Sequence, residues 1–352
     1  MSPKFLRIAV VLGLLSAIGP FAIDMYLPAL PTIGESFAAD IGAVQLSLTL
    51  FFVSFGAFQL IFGPISDMYG RKLPLYLGLV LFAIGGIGCA FAPDIATLAP
   101  LTGSLVITLA GWRAVFWVVT AAAVVGLVMI ATLLPETRPR NLRAGSGIAS
   151  ALAGYRLLLG DANFLALSFI GGFGIASFFV YLANSPFVLI EHFGLTPSVY
   201  SVFFSINAVA FIGMSQLTGM LSERFGLKRV VWVAVTGYAT TMVALFAVMA
   251  TGVDRLDVMA ALLFVGYGFL GLVIPTTSVL AMEEHGEIAG TASALMGTLH
   301  FATGAVAIAV IGLFADGTVL PMVAGIGTCA LITFILAQVT LRQRQAIEVP
   351  AE

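Results

Sequence analysis

Ten stretches of about twenty mostly apolar residues run along this chain of 352 residues, and each is long enough to cross a bilayer as a helix. They cover about residues 6–29, 42–64, 74–92, 112–134, 163–190, 199–221, 230–251, 258–281, 289–314 and 319–340. Backbone polar groups in lipid must be satisfied within the segment, so such spans are helices. Only 9% of the residues are charged and 60% are hydrophobic, which leaves too little polar cover for a soluble surface. The expected fold class is therefore an all-α polytopic membrane protein, with the lipid bilayer as its first partner. A net charge of -2 argues against nucleic acid as a partner.

The breaks between spans set the organisation. Lys4 and Arg7 precede an apolar run much as in a secretory signal, but no small-residue cleavage site follows before Asp24, so a retained first helix is expected. The stretch from Pro135 to about Gly160 is polar, with Arg138, Arg140, Arg143 and Arg156. It reads as a cytoplasmic linker (135–160) between a shortened N-terminal helical bundle (1–134) and a C-terminal six-helix bundle (161–352). The segment Ile95–Ala110 is uncharged but short, and it contains Pro100 and Gly103. If it does not cross, all of the 15 cations except Arg113 and Arg255 fall on the cytoplasmic side, as short loops rich in Lys and Arg prefer. A partial, re-entrant segment fits that balance. Cys89 and Cys329 lie in separate apolar stretches and read as buried fillers rather than a disulfide.

Two short segments between spans are near-copies: Gly63-Pro64-Ile65-Ser66-Asp67-Met68-Tyr69-Gly70-Arg71-Lys72 and Gly219-Met220-Leu221-Ser222-Glu223-Arg224-Phe225-Gly226-Leu227-Lys228-Arg229. Both read as loops in which glycines permit a tight turn, while the acid and cations pair and engage helix termini. One such loop alone is an ordinary solvated turn; two at matching places mean homologous halves. Gly63, Asp67, Gly70, Arg71 and Lys72, with Gly219, Glu223 and Gly226, are the expected gating residues. From Gly63 to Arg138 the chain runs 75 residues and from Gly219 to Arg342 it runs 123, so the first half lacks about 48 residues that the repeat predicts.

On these motifs the chain resembles the major facilitator superfamily, whose loop between its second and third helices is similar to Gly63–Lys72. Other stretches resemble the drug:proton antiporters of the Bcr/CflA group: Pro20-Phe21-Ala22-Ile23-Asp24-Met25-Tyr26-Leu27-Pro28, Gly111-Trp112-Arg113, Leu134-Pro135-Glu136-Thr137 and Ala289-Gly290-Thr291-Ala292-Ser293-Ala294-Leu295-Met296-Gly297. The resemblance implies a two-bundle fold of the major facilitator type and efflux of small amphipathic, drug-like substrates in exchange for protons. It also implies a bacterial inner membrane location with both termini cytoplasmic, and a monomer. The departure lies near Thr97 to Pro100, where the family's fourth helix and the inner part of its fifth have no counterpart. The family's intramembrane arginine is lost with them, and about ten spanning helices plus one partial segment remain. The small-residue face Gly85, Gly86 and Gly88 is then expected to lie open to lipid or under the 95–110 piece.

Single residues carry the remaining expectations. Asp24 is an acid within a span, retained at a cost of about 2.5–3.5 kcal/mol, and so a proton-coupling candidate. Snorkelling to the interface is the plainer alternative. His300 could join a proton path or serve as a neutral imidazole bonded to a neighbouring helix. For the substrate cavity the candidates are Gln59, Phe178, Tyr181, Asn184 and Tyr267, with Pro186 expected to break the helix beside them. Asn207 and Gln216 read as packing contacts, and Pro275 to Thr277 as a cavity face or gating kink. His192 and His285 fall in loops, and three scattered histidines give no metal-ligand spacing. No Gly-Lys-Ser/Thr phosphate loop and no nucleophile with a base are present, so no cofactor and no enzyme activity are expected. The rival readings are a non-transporting shortened family member and a metabolite facilitator or uptake carrier.

Overall fold

The structure, a computed structural model, describes residues 11–12, 14–15, 18–19, 22–23, 26–91, 112–136 and 147–348. Asp24, the Ile95–Ala110 segment, Arg138, Arg140 and Arg143 lie outside the described residues. Among the described residues the regular elements are all helical, and nine helices are long and apolar enough to cross a membrane. The first expected span is helical wherever it is described between Val11 and Tyr26. The chain forms two compact units, Met1–Ala153 and Gly154–Glu352.

In the first unit a 3-10 turn, Leu27–Ala29, leads into α1 (Leu30–Phe37), which stops where Ala38 takes a left-handed conformation. Asp40 then caps α2 (Ile41–Tyr69) by accepting the Ala43 N–H at 2.7 Å. Tyr26, Leu30, Ile33, Val44, Leu48 and Phe52 form its buried core, with the Tyr26 hydroxyl bonded to Ser47. Gly70 and Arg71 turn the chain into α3 (Lys72–Ala90), which packs along α4 (Trp112–Leu133). Helices in lipid associate through close backbone approach, and Gly86 supplies it against Thr120 and the Phe116 carbonyl of α4. This corrects the expected glycine face: Gly86 is covered by α4, while Gly88 has open space around it.

The second half of the expected linker is helical, as α5 (Ile148–Gly160), and Gly154 rests against Thr291. The second unit is then built on α6 (Ala162–Pro186), α7 (Pro197–Gln216), α8 (Thr218–Phe225), α9 (Leu227–Ala250), α10 (Leu256–Met282), α11 (Ala289–Gly312) and α12 (Val319–Glu348). Helix α6 is central, touching α10, α11 and α12; 67% of its apolar window is buried, against 17% for α7. Glycines again set the approaches: Gly304 lies under the Phe179 ring, and Gly271 of α10 meets the Phe211 carbonyl of α7. Pro186 does not break its helix. The chain continues as a π-helical turn, Phe187–His192, a form in which each N–H reaches one residue further back. At Pro275 the hydroxyls of Thr276, Thr277 and Ser278 bond back to the carbonyls of Leu272, Val273 and Ile274.

Candidate functional site

The two repeated motifs are helix ends rather than loops, which corrects the expected geometry. Gly63, Pro64 and Asp67 lie on the last turns of α2, and Gly219 and Glu223 lie on α8. The turn itself is made at one glycine in each motif. Gly70 has φ 99° and ψ 167°; Gly226 has φ 82° and ψ 138°. Both donate their N–H to a serine four residues back, Ser66 and Ser222, at 3.2 and 2.9 Å. A side chain is strained in that region, so glycine is required at both places. Arg71 pairs with Asp67 at 3.4 Å and donates to Ser66 Oγ at 3.0 Å. Beyond the expected residues, the Glu136 carboxylate accepts the backbone N–H groups of Arg71 and Lys72 at 2.9 and 3.3 Å. An acid at a helix start is favoured by the helix dipole, so Glu136 straps the end of α4 to the start of α3.

Gln59 is half-buried on α2, with its Oε1 buried and without a hydrogen-bond partner among the described residues. It belongs to the first unit; the other described cavity candidates belong to the second. There the structure brings together Phe178, Tyr181 and Tyr267. Phe178 lies 5.5 Å from Tyr267, edge to face, and 6.4 Å from Tyr181. Two rings not anticipated from sequence join them on α7: Phe211 stacks on Phe178 at 6.0 Å, and Phe204 on Tyr181 at 6.3 Å. Asn184 Nδ2 instead donates to the Val180 carbonyl of its own helix at 2.9 Å. Asn207 Nδ2 donates to the Tyr181 hydroxyl at 3.2 Å, and the Ser185 hydroxyl meets that of Tyr200 at 3.1 Å. Tyr200, Phe204, Asn207 and Phe211 recur at three- and four-residue steps, the one sign in the sequence that they share a helix face.

His300 on α11 packs against Gly171 and Gly172 of α6 and near Thr277 of α10. Its Nε2 is buried without a hydrogen-bond partner among the described residues. Ser168 Oγ is equally unpartnered.

The other histidines close the two ends of α6. At its start Asp161 accepts the N–H groups of Asn163 and Phe164 at 2.8 and 3.1 Å, and its second oxygen meets His285 Nε2 at 2.9 Å. Partial burial pushes the Asp161 carboxyl up, but the Phe164 N–H, the His285 ring and the Asn163 N–H outweigh it and hold the group below the usual carboxylate range. At the far end His192 meets Asp254 at 2.7 Å. No three His, Cys, Asp or Glu side chains among the described residues gather as metal ligands.

The profile of the Major Facilitator Superfamily matches residues 12–99 and 95–308. The chain belongs to the major facilitator superfamily. It is 31% identical to the uncharacterised MFS-type transporter YdgK of Bacillus subtilis (strain 168), over 90% of this chain and 91% of that protein. It is 25% identical to the bicyclomycin resistance protein homolog of Haemophilus influenzae, over 95% of each chain. The crystal structure of the human organic anion transporter MFSD10 (TETRAN) superimposes with a TM-score of 0.66 at 17% identity, covering 96% of this chain and all of that one. This major facilitator chain is thus a transporter and not an enzyme. The two profile matches meet at residues 95–99. The YdgK alignment spans 368 positions but takes in 90% of 352 residues, about 317, so about 51 positions have no counterpart in this chain.

Proposed function

We propose that this transporter exports small amphipathic, drug-like molecules across a bacterial inner membrane in exchange for protons, as a monomer with both termini cytoplasmic. The observation that carries the reading is similarity to a bicyclomycin resistance homologue along 95% of both chains. The transporter is an N-terminal bundle (1–134) and a C-terminal six-helix bundle (161–352) joined by the linker 135–160. Rocking of the bundles alternates access. Asp24 takes up a proton in one state and gives it up as substrate binds. His300 is the second proton site, because its buried Nε2 makes no hydrogen bond among the described residues. Gln59, Phe178, Tyr181, Asn184 and Tyr267 face substrate during the cycle. The gating segments are Gly63, Asp67, Gly70, Arg71 and Lys72 in the first bundle and Gly219, Glu223 and Gly226 in the second.

The break in the profile match at 95–99 supports a first bundle without the family's fourth helix and inner fifth. That favours a second reading, a family member that inserts but does not cycle. Proton release from purified protein into weak buffer on adding ethidium separates the two. Antiport predicts release that Asp24→Asn abolishes and His300→Gln diminishes. Absence of release from folded wild-type protein, or release equal in all three proteins, removes the coupling assignment.

A further inference from the structure

Two buried polar atoms beside the aromatic group of the second unit have no partner. The Tyr267 hydroxyl, on a residue of 0% exposure, and Asn207 Oδ1, on a residue of 4% exposure, make no hydrogen bond among the described residues. Both border Tyr181: its ring is 5.5 Å from that of Tyr267, and its hydroxyl receives Asn207 Nδ2. The bond to the Tyr181 hydroxyl uses the amide's nitrogen and leaves its oxygen over. Buried polar groups are almost always paired, so two orphans on residues that both border Tyr181 require an explanation. Water is a poor one in a setting walled by Phe178, Phe204 and Phe211, where apolar surroundings offer few further hydrogen bonds. Phe178 sits among these rings and is only half-buried, so one side of the group is reachable.

We infer that Asn207 and Tyr267 form the polar recognition point of the substrate site, which selects flat aromatic molecules carrying a hydrogen-bond donor such as an aryl amine. The donor reaches Asn207 Oδ1, the Tyr267 hydroxyl bonds the same group or its neighbour, and Phe178, Phe204 and Phe211 stack on the ring. This rests on the drug-export reading and adds to it a chemical requirement on the substrate.

The test measures binding of two aromatic cations to the full chain in lipid nanodiscs, with empty discs as blank. Ethidium carries aryl amines; tetraphenylphosphonium has no donor. The readout is the ratio of their affinities in wild type, Tyr267→Phe and Asn207→Ala. Tyr267→Phe removes only an unpartnered oxygen, so it is expected to melt no lower than wild type, and its ratio is interpretable whether or not Asn207→Ala folds. Loss of one hydrogen bond predicts a fall of about fivefold to tenfold in the preference for ethidium. A ratio held within about twofold in a folded Tyr267→Phe protein overturns the inference. If wild type binds neither probe, the drug-export reading falls and this inference with it; if it binds both and the ratio does not move, only this inference falls.

Discussion

Gly70 and Gly226 hold nearly the same backbone conformation at matching places in the two motifs, with the same N–H to serine bond behind them. Alanine at either site is expected to destabilise by about 1–3 kcal/mol, measured by thermal unfolding in detergent, because its Cβ has no comfortable position at that φ and ψ. Asp161 gives a pH-dependent test. Its folded-state carboxyl is held low, so its stabilisation is present above the ordinary carboxylate value and is lost as pH falls through the lowered one. Asp161→Asn keeps a capping side chain but not the charge, and should cost about 0.5–1 kcal/mol at pH 7. That gap should close as melts are taken towards pH 3; a gap independent of pH would mean the charge is not what stabilises. The glycines were legible because a repeated Gly at a fixed offset has few other uses. Asp161 with His285 was not, since the partners lie 124 residues apart and nothing local marks either.

At the scale of elements, span existence was written in the apolar runs, and their ends agree to within a few residues for α6, α9, α10 and α11. The ends that moved did so for local reasons. Gly63 and Pro64 looked like turn residues, yet α2 runs on to Tyr69 because an apolar helix in lipid keeps its bonds wherever it can. In the same way the helix runs through Pro186 and on into the π turn Phe187–His192. The helical half of the linker was hidden because Ala151, Gly154 and Leu158 make only a narrow buried stripe. The Glu136 strap yields a prediction at this scale. Glu136→Ala should speed amide exchange at Arg71 and Lys72 and cost about 0.3–1 kcal/mol at low salt, since the carboxylate is exposed. Unchanged exchange at those two amides would show that the strap is not formed in the membrane.

For the whole molecule, the two-bundle pattern was readable from the repeat, and the unequal flanks of its two copies pointed to a loss near Thr97. The profile match breaks at 95–99, and about 51 aligned positions lack a counterpart. That Phe204, Asn207 and Phe211 of α7 join Phe178, Tyr181 and Tyr267 was not readable, because which face of α7 meets α6 and α10 is decided by packing at Gly271 rather than by any local motif. A bundle without one and a half helices has fewer interhelical contacts, so this protein should melt lower in the same detergent than a relative retaining those positions. Equal melting temperatures would count against a structural gap. Export in exchange for protons is the central claim, and it is tested most directly by proton flux in proteoliposomes containing the full chain. Antiport predicts proton movement on adding ethidium, in the direction opposite to the drug and absent in Asp24→Asn; no drug-dependent flux from well-folded wild-type protein contradicts it.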